Sequence, residues 1–350
     1  MVDALYRRRE FIDWDRDRSE LTDLRGGSPS TPIAYPCIRA RNASTESTAL
    51  ASQAQLVLLR KAEQNMAKAE EATASRDQID HLRQVIAESC RILAQHGLVS
   101  GSTGHVSHRV PGSDDILVRG RPHVDNGLRY AEPHSIIRVD SNAKPVGDTE
   151  GVARVSEIYL HTETYKRRPD VNAVIHAHPP GALLCSINNV PLNPLFAGFN
   201  PGAYSMATDG IPVYDRSITL QTVEQTLPML DALGDKDSIL LSRHGVLVVG
   251  RSVEEATGRA LTFETLCRIA WMTSPHEPPR PLNPLDVEEM SRRSRESAEM
   301  AAAGRSRFRE SHPGAAEGSE RRDNWPYLMS LLDSGALYFD DIGLGTRFPH

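Results

Sequence analysis

Short apolar runs alternate with amphipathic stretches between about residues 77 and 275, which predicts a region that mixes strands with helices. Strands are predicted over 105–109, 115–118, 135–139, 171–177, 211–213, 238–242 and 246–249. Helices are predicted over 154–166, 180–187, 218–233 and 253–271. Several strands follow one another through short turns. This favours an α/β fold with a mixed or antiparallel sheet covered by helices over a strictly alternating parallel sheet.

Two helices carry recognisable start signals. Ser75 with Gln78 resembles a capping box, in which each side chain accepts a hydrogen bond from the other residue's backbone N–H. A helical apolar stripe follows and Gly97 ends it; its members are Ile79, Leu82, Val85, Ile86, Cys90 and Leu93. Ser252 with Glu255 predicts a second capping box at the start of the helix over 253–271.

Composition divides the chain into three regions. Residues 1–50 are polar and weakly periodic, which predicts an extended, partly disordered arm. Residues 51–280 form the central domain, which opens with a predicted helix over 52–73. Residues 281–350 contain a charged helix over 288–309, a linker over 311–323 and an aromatic tail, which we expect to pack on its own core or on a neighbouring subunit.

Charge and hydropathy argue against a nucleic-acid-binding, membrane or secreted protein. The 350-residue chain is 39% hydrophobic with a formal net charge of −6, which argues against nucleic acid or an anionic membrane as the main partner. No apolar run has the length of a transmembrane helix, and the N-terminal region lacks the apolar segment of a secretion signal. The four cysteines are scattered without paired spacing, so we expect reduced thiols in a cytoplasmic protein.

His176-Ala177-His178 is the most informative motif for chemistry. It ends a predicted strand, in which residues i and i+2 project from the same face, so both imidazoles can converge on one point. Two imidazoles suit Zn, Mn, Fe or Co. His244 ends another apolar strand and Glu157 supplies a carboxylate. Three histidines and one glutamate with an open metal position describe a catalytic site better than a structural one.

Four segments occur in an order and at spacings that resemble the class II aldolase/adducin family. They are residues 101–107, Ser156-Glu157 at a predicted helix start, Arg168-Pro169-Asp170 leading into His176-Ala177-His178, and Arg243-His244-Gly245. The resemblance extends over roughly residues 80–275, about the central half of the chain. The set is much more specific than any single segment.

The resemblance implies a catalytic domain over 51–280 with a three-layer α/β/α fold and a mixed, largely antiparallel central sheet. It also implies one divalent metal ion per subunit on His176, His178 and His244, with Glu157 as acid/base or occasional fourth ligand. Family members usually form tetramers with active sites at subunit boundaries. We therefore expect a homotetramer in which the C-terminal tail is able to complete a neighbour's site.

Two loops depart from the pattern of the family's sugar-phosphate aldolases. Those enzymes carry a Gly-Asn pair in the first loop and a Thr-Pro-Ser-Gly-like turn after the next strand, which together hold a phosphate. Here Gly104 is followed by His105, and the loop over 117–123 is basic and lacks those hydroxyls. Because an arginine can bind a carboxylate through two parallel hydrogen bonds, the second loop suggests a carboxylated, non-phosphorylated substrate.

Substrate-binding residues are therefore predicted in these two loops: Ser102, Thr103, Gly104, His105, Arg119, Arg121 and His123. For either arginine taken alone, solvation of the loop is the alternative. His105 and His123 are either acid/base groups that line the pocket or polar loop residues. His161, four residues after Glu157, is either a further ligand or, as we favour, a hydrogen-bond partner of the site.

The His-Ala-His-Pro-Pro turn joined to an Arg-Gly-Arg loop looks most like the decarboxylase branch of the family. That branch acts on ortho-dihydroxy aromatic acids such as dihydroxyphthalate, or on hydroxy-oxo acids from aromatic degradation. The resemblance implies a metal-dependent lyase, a carboxy-lyase rather than an aldehyde-lyase. An aldolase that cleaves a hydroxy-ketone or hydroxy-oxo acid and a non-haem iron oxygenase on the same scaffold remain alternatives. An adducin-like interaction protein is disfavoured, because that branch loses the metal residues.

Overall fold

A computed structural model describes residues 75–275, 279–303 and 324–335 of the chain. The predicted arm over 1–50, the helix over 52–73, the linker over 311–323 and the end of the aromatic tail lie outside the described residues. No helix of the described segments has both the length and the apolar character needed to cross a lipid bilayer.

The described segments contain seven strands and eight α-helices. The strands are β1 (His105–Arg109), β2 (Ile116–Arg119), β3 (Ile136–Val139), β4 (Ala173–Ala177), β5 (Val213–Tyr214), β6 (Ser238–Leu241) and β7 (Gly245–Gly250). The helices are α1 (Arg76–Gln95), α2 (Tyr159–Arg167), α3 (Pro180–Asn188), α4 (Pro201–Thr208), α5 (Val223–Leu233), α6 (Val253–Thr273), α7 (Pro284–Ala302) and α8 (Trp325–Asp333).

All seven strands form one sheet in the order β3-β2-β1-β4-β7-β6-β5. Every neighbouring pair is antiparallel except β5 with β6, which is parallel. The predicted mixed, largely antiparallel sheet is therefore confirmed. β4 lies at the centre, between β1 and β7, so the residues that follow it emerge from the middle of the sheet edge.

Helices cover both faces of the sheet. Ala173 and Ile175 of β4 belong to one buried apolar cluster, which also takes residues from α1, α3 and α6. Val174, on the opposite face of the same strand, belongs to a second cluster with residues from α2 and α5. Because alternate residues of a strand point to opposite faces, β4 is buried on both sides. The predicted three-layer α/β/α fold is confirmed.

The two predicted helix starts have different outcomes. Ser75 Oγ accepts the Gln78 N–H at 3.2 Å and Gln78 Oε1 accepts the Ser75 N–H at 2.8 Å, so the first capping box is confirmed. Ser252 caps α6 by accepting the Glu255 N–H. However, the Glu255 carboxylate accepts the backbone N–H of Arg251 instead. The second predicted capping box is therefore wrong in one respect, because the Glu255 side chain does not accept the Ser252 N–H.

Several element boundaries differ from the prediction. α2 begins at Tyr159 rather than 154, because Ala153 forms an isolated β-bridge with Arg121 and the chain before Glu157 is extended. Glu157 consequently lies in the turn before the helix rather than in its first turn. Helix α4 was not predicted, and the charged helix spans Pro284–Ala302.

The described part of the C-terminal tail packs on the chain's own core. Trp325 lies against the apolar cluster between the sheet and α1. Gln95 at the end of α1 donates a side-chain hydrogen bond to the Leu331 carbonyl at 3.1 Å. This arrangement corresponds to the first of the two packing modes expected for the tail.

Candidate metal centre

Four side chains meet at the end of β4. Each of Glu157, His176, His178 and His244 offers one ligand atom, and these atoms all lie within 4.8 Å of one another. The His176 and His178 rings are 4.7 Å apart between centroids, and the His244 ring lies 4.9 Å from His176 and 5.1 Å from His178. The structure thus brings together residues from three separate segments that the sequence predicted as one cluster.

His176 is oriented by the neighbouring strand. Its Nδ1 lies 2.9 Å from the Val246 carbonyl oxygen on β7, and because a carbonyl only accepts, Nδ1 carries the proton. In the neutral ring, Nε2 is then the nitrogen without a proton. It is buried without a hydrogen-bond partner among the described residues and lies 3.4 Å from Oε2 of Glu157. A bare ring nitrogen held by a hydrogen bond to the other nitrogen is the usual form of a metal-ligating histidine.

Glu157 is a buried carboxylate with its own anchor. Oε1 accepts the backbone N–H of Leu220 at 2.9 Å and lies 3.7 Å from Nε2 of His244. Burial by itself raises the pKa of this carboxyl. The opposing effect of His176, His244 and the Leu220 N–H is larger and lowers the pKa to about 2. Glu157 is therefore ionised at neutral pH.

Burial disfavours protonation of His178 and His244. Burial, followed by the proximity of His176 and His244, lowers the pKa of His178 to about 3. Burial also lowers the pKa of His244. Neutral imidazole nitrogens and one carboxylate are donors that Zn, Mn, Fe and Co accept, and the unpartnered Nε2 of His176 points to an absent ligand. The residues present therefore fit a divalent metal.

A strained turn carries His244 into the cluster. Arg243, the preceding residue, has φ of 55°, which a side chain other than glycine rarely adopts. Its backbone N–H donates to Ser186 Oγ at 3.0 Å, which holds the turn against α3. Gly245 allows close approach to β4, because an added Cβ would lie 2.7 Å from Cδ2 of His178. Nothing in the local sequence indicated the contribution of Ser186.

The first predicted substrate loop lies beside the metal ligands. Gly104 has φ of 80°, and an added Cβ would lie 3.0 Å from the His176 carbonyl oxygen. Thr103 is exposed, and its hydroxyl closes the turn by donating to the Ser100 carbonyl at 2.7 Å. Ser102 is half-buried. The binding of substrate by Ser102, Thr103 and Gly104 stays a prediction, and the structure places Thr103 in a turn-forming contact.

The two arginines of the second loop have different environments. Arg119 is 2% exposed, and both of its terminal nitrogens bind the Asp125 carboxylate, one of them at 2.8 Å. Its charge is therefore already neutralised. Arg121 is half-buried, 3.8 Å from Asp125, and close enough to lower the pKa values of His105 and His178. An acidic residue six positions after Arg119 was the available sign of this ion pair.

The two loop histidines also differ. His123 is exposed. His105 is 2% exposed and lies opposite His176 in the β1–β4 ladder, with the two rings 5.0 Å apart. Its Nδ1 lies 2.6 Å from Nε2 of His161. His161 does not belong to the four-residue metal cluster, so its favoured role as a hydrogen-bond partner agrees with the geometry.

A further buried carboxylate supports the segment after His178. Glu264 of α6 is 3% exposed and accepts the backbone N–H of Gly181 at 3.0 Å and of Ala182 at 3.3 Å. It also pairs with Arg268 at 2.8 Å. Since the two prolines before Gly181 have no N–H, Glu264 receives the first donors of α3. Its distance along the chain kept it out of the sequence prediction.

Comparison with known proteins agrees with this geometry. The family model for the Class II Aldolase and Adducin N-terminal domain matches residues 84–271. A 3,4-dihydroxyphthalate decarboxylase from Arthrobacter keyseri is 36% identical over 191 residues, which cover 54% of this chain and 77% of the relative. The protein of the same name from Rhodococcus jostii (strain RHA1) is 33% identical over 196 residues, which cover 55% and 80%.

The fold comparison is independent of those sequence matches. An aldolase II superfamily protein from Pseudomonas syringae superposes with a TM-score of 0.57 at 20% identity, over 75% of this chain and 96% of that one. At this level of identity the likeness establishes the fold alone. The family model, which matches more than half of the residues, shows that the chain belongs to the class II aldolase and adducin family, and the two decarboxylase relatives at 36% and 33% identity place it on the decarboxylase-like branch.

Proposed function

We propose that the protein is a metal-dependent carbon–carbon lyase that decarboxylates an ortho-dihydroxy aromatic acid or a related hydroxy-oxo acid. The observation that carries the proposal is the convergence of Glu157, His176, His178 and His244 at the end of β4. The two decarboxylase relatives support loss of CO2 as the reaction. A role in the degradation of aromatic compounds is part of this proposal.

The metal and its ligands have separate tasks. When bound, Zn, Mn, Fe or Co supplies a Lewis acid that stabilises negative charge on adjacent substrate oxygens. His176, His178 and His244 hold it, and the hydrogen bond from His176 Nδ1 to Val246 keeps Nε2 aimed at the site. The strained turn before His244 fixes the third imidazole.

Glu157 moves the proton. Its carboxylate is ionised, so it accepts the proton of a substrate hydroxyl at Oε2, the oxygen that does not bind the Leu220 amide. Glu157 then delivers this proton to the ring carbon that bears the carboxylate, which makes a transient ketone. The carbon–carbon bond breaks, its electron pair returns to the ring, and CO2 leaves as aromaticity is restored.

Arg121 is proposed as the residue that binds the substrate carboxylate. Arg119 is engaged by Asp125, whereas Arg121 lies near His105 and His178 and is anchored by backbone hydrogen bonds with Ala153. Arg121→Ala is expected to raise KM about tenfold or more, because a charged hydrogen bond to the substrate is lost. An unchanged KM would contradict this assignment.

The function is tested by CO2 release without oxygen from a panel of ortho-dihydroxy aromatic mono- and dicarboxylates. The protein is loaded separately with Mn, Zn, Fe and Co. Release is expected to disappear with a chelator and in Glu157→Gln, while Glu157→Gln keeps its metal. Glu163→Gln is the matched control, because Glu163 is a buried glutamate on the helix that follows Glu157 but pairs with Lys166.

The same assay separates the alternatives. Cleavage of a hydroxy-ketone or hydroxy-oxo acid without CO2 release would establish the aldolase alternative. Strict dependence on oxygen and iron would establish the oxygenase alternative. The basic loop over 117–123, which lacks the hydroxyls of a phosphate-binding turn, supports the carboxylate substrate over a sugar phosphate.

We also propose a cytoplasmic homotetramer with sites at subunit boundaries. The cysteines of the described segments, Cys90, Cys185 and Cys267, are free and buried, which suits a reducing compartment. Leu183 and Ile187 are exposed on α3 and offer an apolar surface to a neighbouring subunit. Light scattering is expected to give four times the mass of one chain.

A further inference from the structure

A buried column of hydrogen bonds runs from His105 away from the metal ligands. His105 Nδ1 lies 2.6 Å from His161 Nε2, and His161 Nδ1 lies 2.6 Å from Ser107 Oγ. Ser107 Oγ lies 2.7 Å from the Tyr165 hydroxyl, which lies 3.3 Å from the Asn172 carbonyl oxygen. All four side chains from His105 to Tyr165 are at most 3% exposed. Ser107, His161 and Tyr165 have no role in the proposed decarboxylation steps.

One strand and one helix supply the four side chains of this column. Ser107 is two residues after His105 on β1, so both side chains point to the face covered by α2. His161 and Tyr165 are four residues apart on α2, which places them on one side of the helix. Arg109 holds the helix end, because its guanidinium donates to the Tyr165 carbonyl at 2.7 Å.

The hydrogen bonds of the column all run in one donor-to-acceptor direction. The Asn172 carbonyl has no proton, so the Tyr165 hydroxyl donates to it, and Ser107 donates to Tyr165. In the opposite direction Tyr165 would donate to Ser107, and two oxygens without a proton between them would face each other at 3.3 Å. Such a buried contact of lone pairs is unfavourable.

The remaining protons follow from the first two. Because the Ser107 hydroxyl donates its proton to Tyr165, its oxygen accepts a hydrogen bond from His161 Nδ1–H. Burial lowers the pKa of His161 to about 3, so this neutral ring has a bare Nε2 that accepts from His105 Nδ1–H. A neutral His105 then has no proton on Nε2. The column therefore specifies one tautomer of a ring that packs 5.0 Å from the ring of His176.

We propose that Ser107, His161 and Tyr165 are positioning residues that hold His105 as the Nδ1–H tautomer, so that its Nε2 accepts a hydrogen bond from a substrate hydroxyl. This inference rests on the proposed function, since it names the group that recognises a hydroxyl of the dihydroxy substrate. It assigns recognition of the hydroxyl to His105 and recognition of the carboxylate to Arg121.

Tyr165→Phe is the sharpest variant, because it removes only the hydroxyl. Ser107 then loses its acceptor and is expected to donate to His161 Nδ1. This reverses the column and converts His105 to the Nε2–H tautomer. A ring N–H cannot accept from a substrate hydroxyl, so kcat/KM is expected to fall about ten- to a hundredfold. Tyr214→Phe is the matched control, because the Tyr214 hydroxyl donates to the Gln225 carbonyl at 3.4 Å, outside the column.

The tautomer is read directly by long-range ¹H–¹⁵N NMR of the zinc-loaded protein with ¹⁵N-labelled histidine, with His105→Gln to assign the signal. The expected result is a protonated Nδ1 of His105 in the wild type and in Tyr214→Phe, and a protonated Nε2 in Tyr165→Phe. Ser107→Ala is the second variant, and it is expected to lower kcat/KM while Ser107→Thr restores it.

Two outcomes would overturn the proposal. One is an unchanged His105 tautomer in Tyr165→Phe, and the other is wild-type kcat/KM in both Tyr165→Phe and Ser107→Ala. Failure of the proposed function is distinguishable from these. If the wild type releases no CO2 from any substrate, that function is overturned, while conversion of the tautomer by Tyr165→Phe still supports the positioning of His105.

Discussion

Acidification from pH 7.5 to 5.5 is expected to destabilise the metal-free protein, because the interior holds neutral imidazoles. Burial lowers the pKa of His161 and of His178 to about 3, whereas the value in an unfolded chain is 6.5. Between these values the unfolded chain binds protons that the native protein does not. The free energy of unfolding is therefore highest above pH 6.5 and falls as the pH drops towards 3.

The magnitude follows from this linkage. At pH 5.5, one unit below the unfolded value, each such histidine lowers the free energy of unfolding by about 1.4 kcal/mol. The full amount applies to His161, which is completely buried. His178 is only partly buried and contributes less. The two together give a loss of about 2 to 3 kcal/mol. The carboxyl of Glu157 contributes nothing in this interval, because its unfolded value is 4.5.

The assay is urea unfolding at both pH values with a chelator present, for the wild type and for His161→Gln. The variant has one titrating imidazole fewer, so its loss between pH 7.5 and 5.5 is expected to be smaller by about 1.4 kcal/mol, whatever its stability at pH 7.5. Tyr214→Phe, which removes no imidazole, is the control and should show the wild-type loss. Equal losses in His161→Gln and the wild type would refute the reasoning.

Three further perturbations test the cluster and its supports. His244→Ala is expected to lose both bound metal and turnover, and full metal occupancy by elemental analysis would contradict the ligand assignment. Glu264→Ala is expected to lower the unfolding free energy by about 1–3 kcal/mol in urea, because the first N–H groups of α3 lose a buried acceptor, with Glu264→Gln retaining part of it. Gly245→Ala is expected to weaken zinc affinity, because the added Cβ clashes with the Ala177 carbonyl oxygen and with the His178 ring and so displaces the end of β4, whereas Gly258→Ala, which has open space, should leave affinity unchanged.

The environments of Arg119 and Arg121 could not be distinguished from the sequence. Arg121 of the Arg-Gly-Arg loop lies close to His105 and His178, and its binding of substrate stays a prediction. The sequence made Arg119 and Arg121 equivalent. Only the folded loop, which returns Asp125 to Arg119, shows that Arg119 binds this carboxylate through two hydrogen bonds, whereas Arg121 lies 3.8 Å from it.

Local periodicity predicted most of the strands and helices, and the family resemblance implied the layered fold and the candidate metal ligands. A strand places residues two apart on one face, so the His176–His178 pair was visible before any contact was known. Only the tertiary structure determined which groups support these side chains. The Leu220 amide binds Glu157, and the hydrogen-bonded column that starts at His105 lies beside the cluster. These contacts join residues 54 to 63 positions apart. Their formation depends on strand register and helix packing, which short-range patterns along a chain do not encode.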